Sequence, residues 1–195
     1  MTVDILLLRH GPTLWNSEKR IQGRTDIPLS AEGLDAQAER SLPSDWQQAV
    51  WYSSPLQRAR QTAAALGLEV QLAPLLIEMD WGEWEGQRLP ELRQQLGSAM
   101  QTMEDRGLDL CPPGGESPRQ VQQRLYRWCE EQALQASQLT EYRVGAVTHK
   151  GVIRAALAAA CDWNMLGKAP VKLDWQRAHW FRWQQGRLSL VQANC

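Results

Sequence analysis

Basic and imidazole side chains follow two of the apolar runs in this sequence. Arg9 and His10 come directly after the run at residues 3–8, and His149 comes directly after the run at residues 143–148. An arginine presents a planar fork of donors that matches the oxygens of a phosphate group, and a neutral imidazole can act as a nucleophile. If the ends of both apolar runs lie side by side in the fold, these side chains can together bind a phosphate group and attack its phosphorus atom.

A second arginine and a set of carboxylates extend this chemistry. Arg58 lies in SSPLQRARQTA, after a short apolar run at residues 49–52, so it can join Arg9. Four carboxylates stand close to Trp81 and Trp84 further along the chain: Glu78, Asp80, Glu83 and Glu85. A carboxyl group beside indole surface and an incoming dianion has a raised pKa, which suits a general acid. A solvated acidic loop is the alternative reading of the same composition.

The sequence lacks the signatures of several other phosphate-transferring sites. No cysteine has an arginine six positions later, no GxxxxGK[ST] motif is present, and the three histidines form no HExxH motif. The third histidine, His179, lies in a hairpin pattern, where we expect a structural or surface role. The four cysteines form no CxxC pair and are expected to be free thiols. A histidine is therefore the nucleophile that this sequence favours.

The elements that must position these side chains alternate between strands and helices. The predicted strands are at 3–8, 49–52 and 143–148, and residues 178–192 form a hairpin pattern around Gln185 and Gly186. Four helices are predicted. The first covers 29–42 and is opened by Ser30, and the second runs to Leu66 after the capping residues Ser53, Ser54 and Pro55. The third begins at Ser117, and the fourth lies between His149 and Cys161. This alternation predicts an α/β fold with a largely parallel sheet. Ligands bind at the carboxyl ends of such strands, so we expect the two arginines and the two strand-end histidines in one crevice.

The clearest helix signal begins at Ser117. Ser-Pro-Arg-Gln supplies an N-cap, a proline at the first helical position and a glutamine in the capping-box position. Four apolar residues then fall on one helical face: Val121, Leu125, Trp128 and Cys129. The polar residues between them, Gln122, Gln123 and Arg124, are expected to face mostly water.

Length and composition limit the function classes. A chain of 195 residues that is 43% hydrophobic predicts one domain over 1–195, with a loop or short-helix excursion at about 86–116. A formal net charge of -1 gives no general attraction to nucleic acid or anionic membrane. No secretory signal and no apolar stretch of transmembrane length is apparent. We therefore expect a cytoplasmic protein that binds neither nucleic acid nor membrane.

Six segments, in the same order along the chain, resemble the motifs of the histidine phosphatase superfamily, in the branch similar to phosphoglycerate mutases and small-molecule phosphatases. They are LLLRHGPTLWN, RIQGRTDIPLSAEG, SSPLQRARQTA, IEMDWGEWEG, GGES at 114–117 and VTHKGVIRA. The resemblance implies a three-layer α/β/α sandwich and catalysis without a metal or other cofactor. Its implied substrate is a small-molecule phosphomonoester, and a homodimer is compatible with it.

The resemblance also implies a role for each matching residue. His10 is the implied nucleophile, and Glu78 is the implied proton donor. The implied phosphate pocket consists of Arg9, Arg58 and His149, and further phosphate or substrate contacts are implied for Thr13, Asn16, Gln22 and Gly23. The chain departs from the common pattern at Pro12 and at Lys150, which adds a cation at the mouth of the pocket and is expected to contact substrate.

Four interpretations stay open at this point: a phosphomonoesterase of unspecified substrate, an α-ribazole phosphatase, a phosphoglycerate mutase and a binding protein without catalysis. A mutase must shield its phosphoenzyme from water, and the short 86–116 region favours hydrolysis instead. PLLIEMDWGEWEG and AVTHKGVIRAAL also resemble segments of the α-ribazole phosphatases. A phosphoester-binding protein without catalysis is the alternative from a different class.

Overall fold

The computed structural model describes residues 1–136 and 142–195, and in them a six-stranded sheet forms the centre of the fold. Its strands are β1 (Thr2–Arg9), β2 (Val50–Ser53), β3 (Val70–Leu72), β4 (Tyr142–Thr148), β5 (Ala178–Gln184) and β6 (Arg187–Gln192), in the order β3-β2-β4-β1-β5-β6. The first four of these positions are joined by parallel pairings, and β5 and β6 add an antiparallel hairpin beside β1. The predicted, largely parallel sheet is confirmed.

Helices cover both faces of this sheet. They are α1 (Leu14–Ser17), α2 (Ala31–Ala38), α3 (Gln57–Ala65), α4 (Leu89–Leu96), α5 (Ser98–Glu104), α6 (Pro118–Gln135) and α7 (Lys150–Ala160). Alternate residues of β1 enter two different cores, as the twofold alternation of a strand requires. Ile5 and Leu7 pack with α6 and α7, whereas Leu6 and Leu8 pack with α3. The fold is therefore the three-layer α/β/α sandwich that the sequence resemblance implied.

Helix α6 begins as predicted. The Ser117 hydroxyl accepts from the Gln120 backbone N–H, and the Gln120 side chain accepts from the Ser117 backbone N–H, so the capping box is present. The four predicted apolar residues are buried, but the expectation that Arg124 faces water is wrong. Its guanidinium is buried against the Glu116 carboxylate and the Leu75 carbonyl, because two charge-assisted contacts offset its loss of hydration.

Helices α2 and α3 are both shorter than predicted. Helix α2 is capped by Ser30 as expected but ends at Ala38, because Pro43 disfavours helix before it and Arg40 turns toward the Arg9 carbonyl. The predicted N-cap at Ser53 and Ser54 is also wrong: α3 begins at Gln57, and its first N–H donates to Asp26 Oδ1 at 2.7 Å. A residue distant in sequence thus caps the helix.

The segment at 86–116 contains α4, α5 and a short 3-10 turn. The C-terminal hairpin turns at Gln185 and Gly186, both with positive φ, as predicted. Strand β3 has only three residues, and no sequence pattern indicated it.

The four cysteines form no disulfide among themselves. In residues 1–136 and 142–195, no helix is both long and apolar enough to cross a membrane.

One glycine is required where β4 pairs with β2, because Gly145 lies opposite Trp51. A Cβ built on Gly145 would lie 2.5 Å from the indole ring of Trp51, which is buried. We predict that Gly145→Ala lowers the free energy of unfolding by about 1–3 kcal/mol, as overpacking does. Urea unfolding measures this cost. The same substitution in a Trp51→Leu background should cost less, and an equal cost in both backgrounds would contradict the steric explanation.

Candidate active site

The pairing of β1 with β4 brings the two strand-end histidines together. The parallel register sets Arg9 opposite Thr148, and the His10 backbone N–H donates to the Thr148 carbonyl at 3.0 Å. The centroids of the His10 and His149 rings are 5.1 Å apart. Both histidines are buried, with 5% of His10 exposed. The two histidines therefore meet at the carboxyl ends of these strands, as expected, although of the two only His10 lines the cavity described below.

The hydrogen bonds of His10 determine which ring nitrogen is available. Nδ1 lies 2.6 Å from the Gly11 carbonyl oxygen, and because a carbonyl only accepts, Nδ1 carries the proton. Nε2 of the neutral ring therefore keeps a free lone pair. Burial lowers the pKa of His10 well below its usual value, and the charges of Arg9 and Arg58 lower it further. The side chain is thus a neutral imidazole at neutral pH.

Arg58 is fully buried and fixed by a loop. Its Nη1 donates to the Thr25 carbonyl at 2.9 Å, its Nη2 donates to the Gly23 carbonyl at 2.6 Å, and its Nε has no hydrogen-bond partner. The loop is held in turn by Glu85, whose carboxylate accepts from the backbone N–H groups of Arg24 and Thr25. Burial lowers the pKa of Arg58, although the side chain stays charged.

Arg9 also enters the crevice, and within residues 1–136 and 142–195 it forms no ion pair with a carboxylate. Its Nε is buried and unpaired, and its guanidinium lies over the Trp175 ring, 5.6 Å from the centroid. The backbone oxygen of Arg9 accepts from Arg40 Nη1. Burial and the neighbouring Arg9 charge lower the pKa of Arg40 to about 10. The local field is therefore strongly positive, as an anion site requires.

Glu78 is the carboxylate that faces this field. Only 8% of it is exposed, and Oε1 accepts from the backbone N–H groups of Met79 at 2.9 Å and Gly151 at 3.0 Å. Burial raises the pKa of Glu78, and this effect exceeds the opposing hydrogen bonds and the charge of Arg58. A Cβ on Gly151 would lie 2.3 Å from Glu78 Oε1, so the glycine is needed for this contact.

The other three carboxylates of the acidic segment have different surroundings. Glu85 holds the loop that carries the Arg58 contacts, as described above. Asp80 forms an ion pair with Arg24 and accepts from the Gly82 N–H, and Glu83 is exposed. Of the four, only Glu78 therefore reaches the crevice.

His149 lies behind the crevice and is fully buried. Its Nε2 is 2.7 Å from Ser54 Oγ, and its Nδ1 has no hydrogen-bond partner. Burial lowers its pKa well below the usual value, with Arg58 and His10 acting in the same direction. Ser54 Oγ also accepts from the backbone N–H of Leu56, the residue before α3, at 3.4 Å.

A cavity of about 580 Å³ opens in front of these groups. Its lining includes eight of the residues singled out from the sequence: Arg9, His10, Asn16, Gln22, Gly23, Arg58, Glu78 and Lys150. Thr13 does not line it. This residue is buried and caps α1 through its contacts with Asn16, so the structure places Thr13 one layer behind the cavity.

Several lining residues were not singled out individually from the sequence. Trp15, Trp81, Leu89 and Leu110 make the outer wall partly apolar, and Arg154 adds a cation. Nothing in the sequence distinguished these tryptophans from the buried ones, such as Trp128 and Trp183, which pack in the core. Arg154 lies one helical turn after Lys150, and this spacing is the sequence signal that could have placed Arg154 beside Lys150 in the cavity lining.

His179 is fully buried, on the β5 strand beside β1. Its Nδ1 accepts from the Asn194 backbone N–H, and burial lowers its pKa to about 4. The residue lines none of the cavities around His10. Among the described residues, no group of three or more histidine, cysteine, aspartate or glutamate side chains is placed to hold a metal ion.

The family profile and the curated relatives that match this chain point to the same family. The sequence profile of the histidine phosphatase superfamily (branch 1) matches residues 5–195. The chain is 32% identical to "Probable phosphoglycerate mutase GpmB" of Escherichia fergusonii over 130 residues, which are 64% of this chain and 60% of the relative. The protein of the same name from Enterobacter sp. (strain 638) is 33% identical over 128 residues, with 63% and 60% covered. The chain thus spans about 60% of the length of these curated relatives.

Solved structures match over nearly the full chain. TTHB049 from Thermus thermophilus is 31% identical with a TM-score of 0.71, covering 98% of this chain and 99% of that one. "Mycobacterial hydrolase 1" is 26% identical with a TM-score of 0.82, covering 100% and 99%. A "putative alpha-ribazole-5'-P phosphatase" from Escherichia coli K-12 MG1655 is 24% identical with a TM-score of 0.79, covering 99% and 96%, and supports the fold alone. The chain belongs to the histidine phosphatase superfamily, branch 1.

Proposed function

We propose that the protein is a metal-independent phosphomonoesterase that works through a phosphohistidine on His10. The observation that carries this proposal is the hydrogen bond from His10 Nδ1 to the Gly11 carbonyl. It leaves Nε2 as a nucleophile in a cavity that also contains two guanidinium groups and a buried carboxyl group.

In the first step, His10 Nε2 attacks the phosphorus atom of the bound ester. The Nε2–P bond forms while the bond from phosphorus to the ester oxygen breaks. The electron pair of that bond goes to the departing oxygen, which takes a proton from the Glu78 carboxyl group. The raised pKa of Glu78 suits this role, because part of the carboxyl population stays protonated where an ordinary glutamate is ionised.

In the second step, Glu78 acts in the opposite direction. Its carboxylate takes a proton from a water molecule, whose oxygen attacks phosphorus as the Nε2–P bond breaks. Inorganic phosphate leaves, and the lone pair returns to the neutral imidazole of His10. The two steps together consume one water molecule and restore both residues.

The surrounding donors stabilise the peripheral oxygens of the transferred group. The Nε atoms of Arg9 and Arg58 are buried and have no other partner. His149 lies behind these donors, and if Ser54 Oγ donates to its Nε2, then its Nδ1 carries the ring proton next to the His10 ring, whose centroid is 5.1 Å away. Such prearranged donors account for most of the barrier reduction in phosphoryl transfer.

Two observations bear on the choice among related activities. The segment at 86–116 contains only short elements, α4, α5 and a 3-10 turn, rather than a long cover, which favours water over a second sugar acid as acceptor. The apolar side chains of the outer wall, including Trp15 and Trp81, suit an ester whose alcohol carries a ring. An α-ribazole phosphate is therefore the second candidate substrate, and a phosphoglycerate mutase activity, the name carried by the curated relatives, is the third.

We predict that His10→Ala abolishes phosphate release, because no other group in the cavity replaces Nε2. The assay uses p-nitrophenyl phosphate, 3-phosphoglycerate and α-ribazole 5′-phosphate, with EDTA present. Retention of phosphate binding and of the circular dichroism spectrum by the variant would separate lost chemistry from lost folding. Equal turnover in wild type and variant would overturn the mechanism. Binding without any turnover by the wild type would favour the non-catalytic alternative.

We predict that Glu78→Gln affects esters according to their leaving group. For an alkyl phosphate, kcat/KM should fall about 100-fold or more, the usual contribution of a general acid. For p-nitrophenyl phosphate the fall should be far smaller, because that leaving group needs no proton. Glu83→Gln, which neutralises an exposed carboxylate of the same segment, is the matched control. Equal losses for both esters would argue against the acid role.

We predict a bell-shaped pH profile of kcat/KM for an alkyl phosphate. Activity should fall on the acidic side as His10 is protonated, and since its pKa is lowered, that limb lies well below the usual histidine range. Activity should fall on the alkaline side as Glu78 loses its proton, at a pH above the usual glutamate range. Initial rates across the pH range measure both limbs. An alkaline limb that persists in Glu78→Gln would assign it to another group.

A further inference from the structure

Two cations on one face of α7 have no role in the mechanism above. Lys150 and Arg154 are four residues apart, so they lie one above the other on the helix, and both line the cavity that contains His10. Among the described residues, neither forms an ion pair with a carboxylate. By contrast, two other cations of the same cavity, Arg20 and Arg93, are paired with Glu18 and Glu104.

The position of these two cations is electrostatically unfavourable. Lys150 is the first residue of α7, where the helix dipole is positive and disfavours a cation. Like charges at this spacing also repel each other. Burial lowers the pKa of Lys150, and the charges of Arg9 and Arg154 lower it further. An anion bound beside them would remove this penalty.

Aromatic rings hold both cations in place. The Lys150 ammonium lies 5.4 Å from the centroid of Trp175, the ring that also faces Arg9. The Arg154 guanidinium lies 5.0 Å from the centroid of Trp163. Trp163 is itself buried and donates through Nε1 to the Leu166 carbonyl at 2.9 Å. A ring face attracts a cation but leaves its N–H groups free, so these side chains stay fixed and able to donate.

We propose that Lys150 and Arg154 form a second anion subsite, which binds a further negatively charged group on the same substrate. Resting on the proposed phosphatase function, this inference specifies its substrate class: phosphomonoesters that carry a carboxylate or a second phosphate. Because Trp175 contacts both Arg9 and Lys150, the second anion lies close to the transferred phosphoryl group. Substrates with a few bonds between the two charges therefore fit.

The test compares two matched substrate series. One series consists of ω-carboxyalkyl phosphates of increasing chain length, and the other consists of ω-hydroxyalkyl phosphates of the same lengths. Wild-type kcat/KM should be about tenfold or more higher for the carboxylate at the best length, as expected for one charge-assisted contact. Equal values at every length would overturn the proposal.

Variants assign the preference to these two residues. Arg154→Gln and Lys150→Gln should each reduce the ratio between the two series about tenfold, whatever happens to the rate that both series share. Arg154→Lys keeps the charge and should keep most of the ratio. Lys168→Gln neutralises an exposed lysine that does not line the cavity and is the matched control. A ratio unchanged in both glutamine variants would overturn the assignment.

Binding measurements separate this proposal from the proposed function. Calorimetry with ω-carboxyalkyl and ω-hydroxyalkyl phosphonates, which cannot be hydrolysed, reports the second subsite without turnover. Tighter binding of the carboxylates, lost in Arg154→Gln, would support the subsite even if no phosphate release were found. Equal binding of both phosphonate series would refute the subsite even in an active phosphatase.

Discussion

The parallel pairing of β1 with β4 is the constraint on which the site depends. Its register brings the ends of two largely buried strands level, so that the next residue of each chain segment is a histidine. A slip of one residue would turn the side chains of β1 to the opposite face of the sheet and separate the rings. The two hydrophobic cores fix the register, since each takes alternate β1 residues. Core packing and catalysis therefore depend on the same pairing.

A second constraint is the uneven distribution of charge. The protein has almost equal numbers of acidic and basic residues, yet Arg9, Arg58 and Lys150 meet around His10 with Glu78 as the carboxylate facing them. Concentrating cations in this way costs folding free energy, and functional sites commonly carry such costs. The hydrogen bonds of Arg58 to backbone carbonyls and the indole contacts of Arg9 and Lys150 offset part of it without neutralising charge. The positive field is thus kept for an incoming phosphate.

The sequence was sufficient for features that depend on local signals. The apolar runs of β1 and β4, the capping box at Ser117 and the hairpin turn at Gln185 and Gly186 each have residue patterns of known local geometry, and each was found in the structure. The six motifs also indicated the residues around His10, because each motif is a local residue pattern. Features that depend on distant contacts were missed or wrong. Asp26 caps α3 from another loop, and Arg124 is buried because Glu116 meets it there.

The loop that supplies the Arg58 contacts has a consequence for the energetics of binding. Gly23 and Thr25 accept from the guanidinium, and Glu85 accepts from the neighbouring backbone N–H groups, so contacts within the protein hold this loop. Gly23 adopts positive φ, and a Cβ there would collide with the Glu85 carboxylate. These contacts restrict the part of the pocket around Arg58, so little conformational entropy is lost there when a phosphate ester binds. Differences in affinity among phosphate esters then arise mainly from what lies beyond the phosphate.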